Sequence, residues 1–211
     1  MRRLAAVLVL ALLAAGCGGG TRITETREVA PFDRLEVAGV NVTVVPGEGN
    51  QVRVRAGEKV IDRVRTESRD GVLRIDVPER GIVIGSDPLG DAAVEVTATS
   101  LAGAKIDGSG NMTMTGLRGD ALEIDIQGTG DLEASGTVGR LTATLQGVGD
   151  ADLSRLQART ARVLVQGPAD AELNVTDELD VRVQGPGDVT YRGDPDVTSD
   201  VDGPGDVKRA P

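Results

Sequence analysis

From Leu35 onward, apolar residues in this chain recur at every second position. Leu35 and Val37, then Val40, Val42 and Val44, alternate with polar or small neighbours. So do Val52 and Val54, then Leu73, Ile75 and Val77, then Val94, Val96 and Ala98. A period of two puts one set of side chains on one face of an extended segment, whereas a helix would need a period near 3.6. The runs are rich in Val, Ile and Thr and are bounded by Gly, Pro, Asn or Asp, so they predict β-strands. No segment after Cys17 shows a convincing helical period. Residues 57–66 are ambiguous: a short helix fits there, although the β-branched content favours a strand.

Beyond about residue 100 the alternation becomes a repeat. Gly108-Ser109-Gly110-Asn111, Gly128-Thr129-Gly130-Asp131, Gly147-Val148-Gly149-Asp150, Gly167-Pro168-Ala169-Asp170, Gly185-Pro186-Gly187-Asp188 and Gly203-Pro204-Gly205-Asp206 are near-copies. Their first residues lie 18–20 positions apart. Three aliphatic columns run before them. Ile106, Ile126, Leu145, Val165, Val183 and Val201 stand two residues ahead of the first Gly. Ala104, Ile124, Ala143, Val163, Val181 and Ser199 stand four ahead, and Ala102, Leu122, Leu141, Ala161, Leu179 and Val197 six ahead. Met112, Leu132, Ala151, Ala171, Val189 and Val207 form a fourth column after the tetrad. A repeat this short fits one rung of a solenoid. The expected fold is therefore all-β: a right-handed parallel β-helix with rungs of 18–20 residues and a less regular β N-terminal part. At ~4.8 Å per rung, six rungs make a rod of roughly 25–30 Å.

The tetrads read as corners. Pro at the second position presets φ, and Gly at the third suits a type II turn with positive φ, so Ala169 predicts a strained or different corner. The fourth position forms a column of Asn111, Asp131, Asp150, Asp170, Asp188 and Asp206. Stacked carboxylates at ~4.8 Å repel by about 1 kcal/mol per pair in water. Two readings follow. The side chains cap corner amides, a role that needs only an acceptor oxygen and so admits Asn111. Alternatively Asp131, Asp150, Asp170, Asp188 and Asp206 bind Ca²⁺ weakly as hard oxygen ligands. Gln127, Gln146, Gln166 and Gln184 form a second polar column, read either as an amide-to-amide ladder or as an exposed binding face.

The start of the chain carries a different signal. Arg2 and Arg3 precede the apolar run from Leu4 to Ala15, which as a helix rises only ~18 Å against a ~30 Å hydrocarbon core. It reads as a secretory signal. Leu12-Leu13-Ala14-Ala15-Gly16-Cys17 resembles the lipobox of bacterial lipoproteins, although Ala14 stands where Leu is commoner. That resemblance implies cleavage after Gly16 and lipidation of Cys17, which would anchor the chain firmly through two or more acyl chains. Gly18, Gly19 and Gly20 would then form a tether. The expected organisation is a signal peptide over 1–16, a lipidated Cys and Gly-rich tether over 17–29, and a solenoid over 30–207. Gly18 is not the Asp that retains lipoproteins at an inner membrane, so in a two-membrane cell the outer membrane is expected.

Composition narrows the function. The chain has 211 residues, no His, no Trp, one Cys, one Tyr and one Phe, and a net charge of −10. Without His there is no Ser-His-Asp triad, no Cys-His pair and no imidazole metal site. One Cys excludes an internal disulfide and a cysteine zinc site. An acidic chain with almost no aromatic surface is a poor nucleic-acid binder. Paired carboxylates leave open a polysaccharide-cleaving β-helix enzyme, but rungs this short provide no cleft walls. Arg63, Arg65, Arg69, Arg74 and Arg80 read as a solvated face. Lys208, Arg209 and Pro211 would blunt an open sheet edge.

Phe32-Asp33-Arg34-Leu35-Glu36-Val37-Ala38-Gly39-Val40-Asn41-Val42-Thr43-Val44 resembles the opening of the head GIN domain family, named as a putative auto-transporter adhesin head. Asp70-Gly71-Val72-Leu73-Arg74-Ile75 and the Gly-x-Gly-Asp repeats resemble it too, over about residues 30–207. The resemblance implies a β-helical extracytoplasmic domain without an established activity. The expected function is a non-enzymatic, adhesin-like binding or structural module. It would sit on the membrane through its N-terminal lipid, take an envelope glycan or protein as ligand, and need no cofactor unless the Asp column takes Ca²⁺.

Overall fold

The structure, a computed structural model, describes residues 10–13, 21–47, 49–78, 92–98 and 100–211. Cys17 and the Gly tether lie outside the described residues, as do Arg80 and the leader apart from the backbone of Leu10–Leu13.

The chain forms a parallel β-solenoid with two sheet faces joined at stacked corners. Four long, bent strands make its centre: β10 (Met112–Ile126), β11 (Leu132–Leu145), β12 (Ala151–Val165) and β13 (Ala171–Val183). Each begins on one face directly after a tetrad and ends on the other just before the next. They pair in parallel, with Met112 opposite Leu132, Leu132 opposite Ala151 and Ala151 opposite Ala171. This register is the one that aligns the aliphatic columns. Leu122, Leu141, Ala161 and Leu179 are all buried, as are Ile126, Leu145, Val165 and Val183. The core is a continuous aliphatic stack, and burial of each such side chain contributes about 1.5–3 kcal/mol.

The less regular N-terminal part belongs to the same coil. β3 (Arg34–Ala38) and β4 (Asn41–Pro46) form one rung, with β9 (Gly103–Ile106) laid on β3 and the start of β10 on β4. β7 (Val72–Asp76) and β8 (Ala93–Ala98) lie on the other side, parallel to β3 and β4. Antiparallel strands close this end. β5 (Gln51–Gly57) runs against β8, β2 (Arg22–Glu28) against β5, and β6 (Arg65–Arg69) against β7. The backbone of β1 (Leu10–Leu13) pairs antiparallel with β2, so this part of the apolar run is strand.

The ambiguous stretch 57–66 is neither a helix of several turns nor a single strand. β5 ends at Gly57 and β6 begins at Arg65, with one 3-10 turn at Ile61–Arg63 between them. The Val60 amide donates to Gly57 O at 2.9 Å and the Arg63 amide to Val60 O at 2.9 Å, which turns the chain from one face to the other. Ile61 and Val64 plug the core there. The sequence reading missed the residue that holds this cap. Arg27 is only 8% exposed. Its guanidinium donates to Val64 O at 2.5 Å and Ile61 O at 3.3 Å, and pairs with Glu25 at 2.9 Å. It thus satisfies carbonyls that no strand reaches.

Among the described residues the opposite end has no such cap. β14 (Val189–Arg192) pairs with β13, and the last rung consists of β15 (Asp196–Val201) on β13 and β16 (Val207–Arg209) on β14. Every residue of β15 is exposed.

Candidate functional site

The corners explain the tetrad, by a route other than turn type. The type II expectation of positive φ at the third position holds at Gly110, but Gly130, Gly149, Gly187 and Gly205 lie outside the left-handed region. Their requirement is space. A Cβ at Gly130 would run into Gly110 O, one at Gly149 into Gly130 O and one at Gly187 into Ala169 O. Corner backbones stack directly on each other, and at these glycines a Cβ would collide with the carbonyl one rung back. Ala169, at the same position of the fourth corner, has no positive φ and is wholly buried, its methyl group lying in the aliphatic core.

The fourth position supplies an acceptor to a donor that the sheets cannot reach. Before the corner, amides donate to the preceding rung, as Gln146 does to Ile126 O at 2.8 Å. After it they donate to the following rung, as Leu132 does to Asp150 O at 2.8 Å. The Asx amide between these two regimes is taken by the side chain one rung earlier. Asn111 N donates to Asn41 Oδ1 at 2.9 Å and Asp131 N to Asn111 Oδ1 at 3.0 Å. Asp150 N donates to Asp131 Oδ1 at 3.0 Å, Asp170 N to Asp150 Oδ1 at 2.8 Å and Asp188 N to Asp170 Oδ1 at 2.7 Å. Asp206 N reaches Asp188 Oδ1 at 3.0 Å, and Asp206 Oδ1 turns instead to Val207 N, accepting from it at 2.9 Å. The ladder extends backward to Asn41, because Gly39-Val40-Asn41 is a corner of the same kind. The insertion of β5 to β8 hid it from the 18–20-residue period.

One Oδ1 of each interior Asp is therefore committed to structure, and the geometry supports the capping role. Among the described residues no group of three or more acids, His or Cys is placed to hold a metal ion. At the end of the column the Lys208 ammonium donates to Asp188 Oδ2 at 3.1 Å. This bond, helped by the Asp206 amide, holds the Asp188 carboxyl below its ordinary range, and in turn raises Lys208 above its own.

The glutamine column is brought together in part. Gln146 Nε2 donates to Gln166 Oε1 and Gln166 Nε2 to Gln184 Oε1, each at 2.9 Å. Gln127 leaves the ladder and donates to Asp125 Oδ2 at 2.9 Å. Of the arginines read as a solvated face, Arg74 pairs with Glu36 and Arg69 with Glu67 on the surface.

Sequence reasoning also missed a groove. It has a volume of about 470 Å³ and lies on the outer face of the sheet formed by the ends of β11, β12 and β13 with β15. The register lines up Arg140, Thr160, Glu178 and Asp196 in one row, and Thr142, Arg162, Asp180 and Thr198 in the next. Arg162 Nε binds Asp180 Oδ2 at 3.0 Å in the middle. Arg140 at one end, and Glu178 and Asp196 at the other, have no ion-pair partner among the described residues. The groove thus offers a cation and an anion site along the rod, with hydroxyls between them. The signal was in the residues between the aliphatic columns, which a search for the core passes over.

These features define a parallel β-solenoid of short rungs with Asx-capped corners and a polar outer face. The chain belongs to the family described as putative auto-transporter adhesin, head GIN domain, which matches residues 31–195. Solved structures of the same fold include a putative adhesin from Bacteroides fragilis NCTC 9343, at 21% identity and a TM-score of 0.77 over 91% of this chain and 98% of that one. A putative adhesin from Parabacteroides merdae ATCC 43184 has 18% identity and a TM-score of 0.53, over 92% and 98% of the two chains. A putative lipid binding protein from Parabacteroides distasonis ATCC 8503 has 20% identity and a TM-score of 0.50, over the same shares. No curated protein matches the chain. Neither the family nor these structures are named for an enzyme. Among the described residues no helix is long and apolar enough to cross a membrane.

Proposed function

We propose that this chain is a non-enzymatic, adhesin-like binding module of the cell envelope, held to the membrane by a lipid on Cys17 and contacting an envelope glycan or protein. The observation that carries the binding part is the groove, where Arg140 and the Glu178–Asp196 pair of acids have no ion-pair partner among the described residues and stand on a sheet face. Side chains fixed on strands present hydrogen-bonding groups at little entropic cost, which suits recognition of a polar, hydroxyl-rich or zwitterionic ligand. The anchor rests on Cys17 as the single Cys of the chain, next to a small-residue run.

Two experiments test the two halves separately. Glycan and envelope-protein arrays probed with the purified protein should give a selective ligand whose signal falls at least tenfold in Arg140→Glu and is insensitive to Gln166→Ala. An array signal unchanged by Arg140→Glu would refute the groove. Cys17→Ser should move the protein from the membrane to the soluble fraction, and persistence in membranes would refute the anchor.

A further inference from the structure

The last rung presents a sheet edge built differently from the rest of the molecule. β15 pairs with β13 on one side and with nothing on the other among the described residues. The Asp202 amide donates to Val183 O at 2.7 Å. Successive residues of a strand alternate the direction of their backbone groups, so the N–H and C=O groups of Val197, Ser199 and Val201 point away from β13 into the open edge. The side chains of Val197 and Val201 continue the buried columns of Leu179 and Val183, yet they are 40% and 42% exposed. The neighbouring β16 edge is already closed in part, since Val207 N is capped by Asp206 Oδ1. On the outer face of β15 stand Asp196 and Asp200, with Asp202 just beyond.

We infer that the free edge of β15 is a docking site for an extended peptide segment of a partner protein in which apolar residues alternate with Lys or Arg. Backbone bonds to Val197, Ser199 and Val201 would add the segment as one more strand. Its apolar residues would cover Val197 and Val201, and its basic residues would lie opposite Asp196 and Asp200. Arg182 neutralises one of these acids in part, at 3.1 Å from Asp200, but Asp196 has no ion-pair partner among the described residues. The net charge of −10 adds long-range attraction for a basic segment. A second copy fits poorly. Antiparallel pairing of β15 with itself, with Val197 opposite Val201, places Asp196 opposite Asp202 on both sides, and directly opposed like charges destabilise a strand pair. This inference is independent of the lipid on Cys17 and shares only the outer residues of β15, chiefly Asp196, with the groove, while its two variants lie outside the groove lining.

The test uses a fluorescent peptide of alternating Val and Arg, a matched peptide with Glu for Arg, and the purified protein. Anisotropy should show binding of the basic peptide, weakening at least tenfold from low to high salt, and none of the acidic one. Ser199→Pro removes an edge donor without touching a bond to β13, and should reduce binding at least tenfold while leaving the melting temperature within about 2 °C. Val201→Asp serves as a second variant and should do the same. No binding of the basic peptide, equal binding of both peptides, or binding unchanged in both variants would overturn the inference. So would a concentration-dependent dimer, seen by light scattering, that Ser199→Pro dissolves, since it would give the edge to a second copy.

Discussion

Replacing Asp150 by Asn or by Ala separates the two roles a stacked carboxylate plays. Both substitutions remove one negative charge from between Asp131 and Asp170. At the ~4.8 Å rung spacing each like-charge pair costs about 1 kcal/mol in water, reduced roughly by half by physiological salt. Removing the charge therefore stabilises by ~1 kcal/mol in either variant. The variants differ in the acceptor: Asn keeps an oxygen for the Asp170 amide, held at 2.8 Å in the native chain, whereas Ala orphans it. An unmet amide costs about 1–2 kcal/mol at a site water can partly reach. Asp150→Asn should thus unfold at or above the native temperature, and Asp150→Ala about 1–2 kcal/mol below Asp150→Asn. For a chain of this size that gap is roughly 2–8 °C. Thermal unfolding by circular dichroism reads it, and exchange of the Asp170 amide should speed up in the Ala variant only. Equal stability of the two variants would refute the ladder. Asn at positions 41 and 111 already shows that the corner accepts an uncharged oxygen.

Three further outcomes follow. Gly149→Ala should lose at least ~2 kcal/mol through overpacking against Gly130 O, whereas Gly119→Ala, whose Cβ would meet nothing nearer than Ala121 O at 3.8 Å, should be neutral in the same melt. Arg27→Met should cost about 2–4 kcal/mol, because it strands the Val64 carbonyl and the Glu25 carboxylate and leaves Ile61 O only the Val64 amide, and proteolysis should then begin within residues 57–69. The depressed Asp188 carboxyl makes a contribution that is complete above its ordinary pKa of 3.8 and is lost as the pH falls through the lowered value. Lys208→Gln should therefore be less stable than the native chain above that value, with the difference closing as the pH falls through the lowered pKa, as read by melts across the acid range.

The parts legible in the sequence were those written in periodic form. The four aliphatic columns fixed the parallel register, since a slip of one residue would turn every buried side chain outward. What was not legible lay where the period breaks. The Gly39-Val40-Asn41 corner is separated from its successor at Gly108 by the inserted strands, so no spacing connects the two. Arg27 sits among ordinary surface-like residues of β2, and only the meeting of β2 with the 3-10 turn gives it buried carbonyls to satisfy. The corner glycines were noticed for the wrong physical reason. A tetrad read alone points to turn geometry, whereas the constraint comes from the carbonyl one rung away. The groove depends on which outer residues align across β11, β12, β13 and β15, and on bulges between the rungs, such as those in the β12–β13 pair, that sequence spacing does not locate.

Successive corners stack in parallel, with each Asx side chain holding the next rung. Nuclear Overhauser contacts in the isotope-labelled protein measure this stacking directly. Contacts are expected from the Asp150 Hβ protons to the Asp170 amide and from the Asp170 Hβ protons to the Asp188 amide, with both amides protected from exchange. Absence of these contacts, with the Asp170 and Asp188 amides exchanging at open-chain rates, would contradict it.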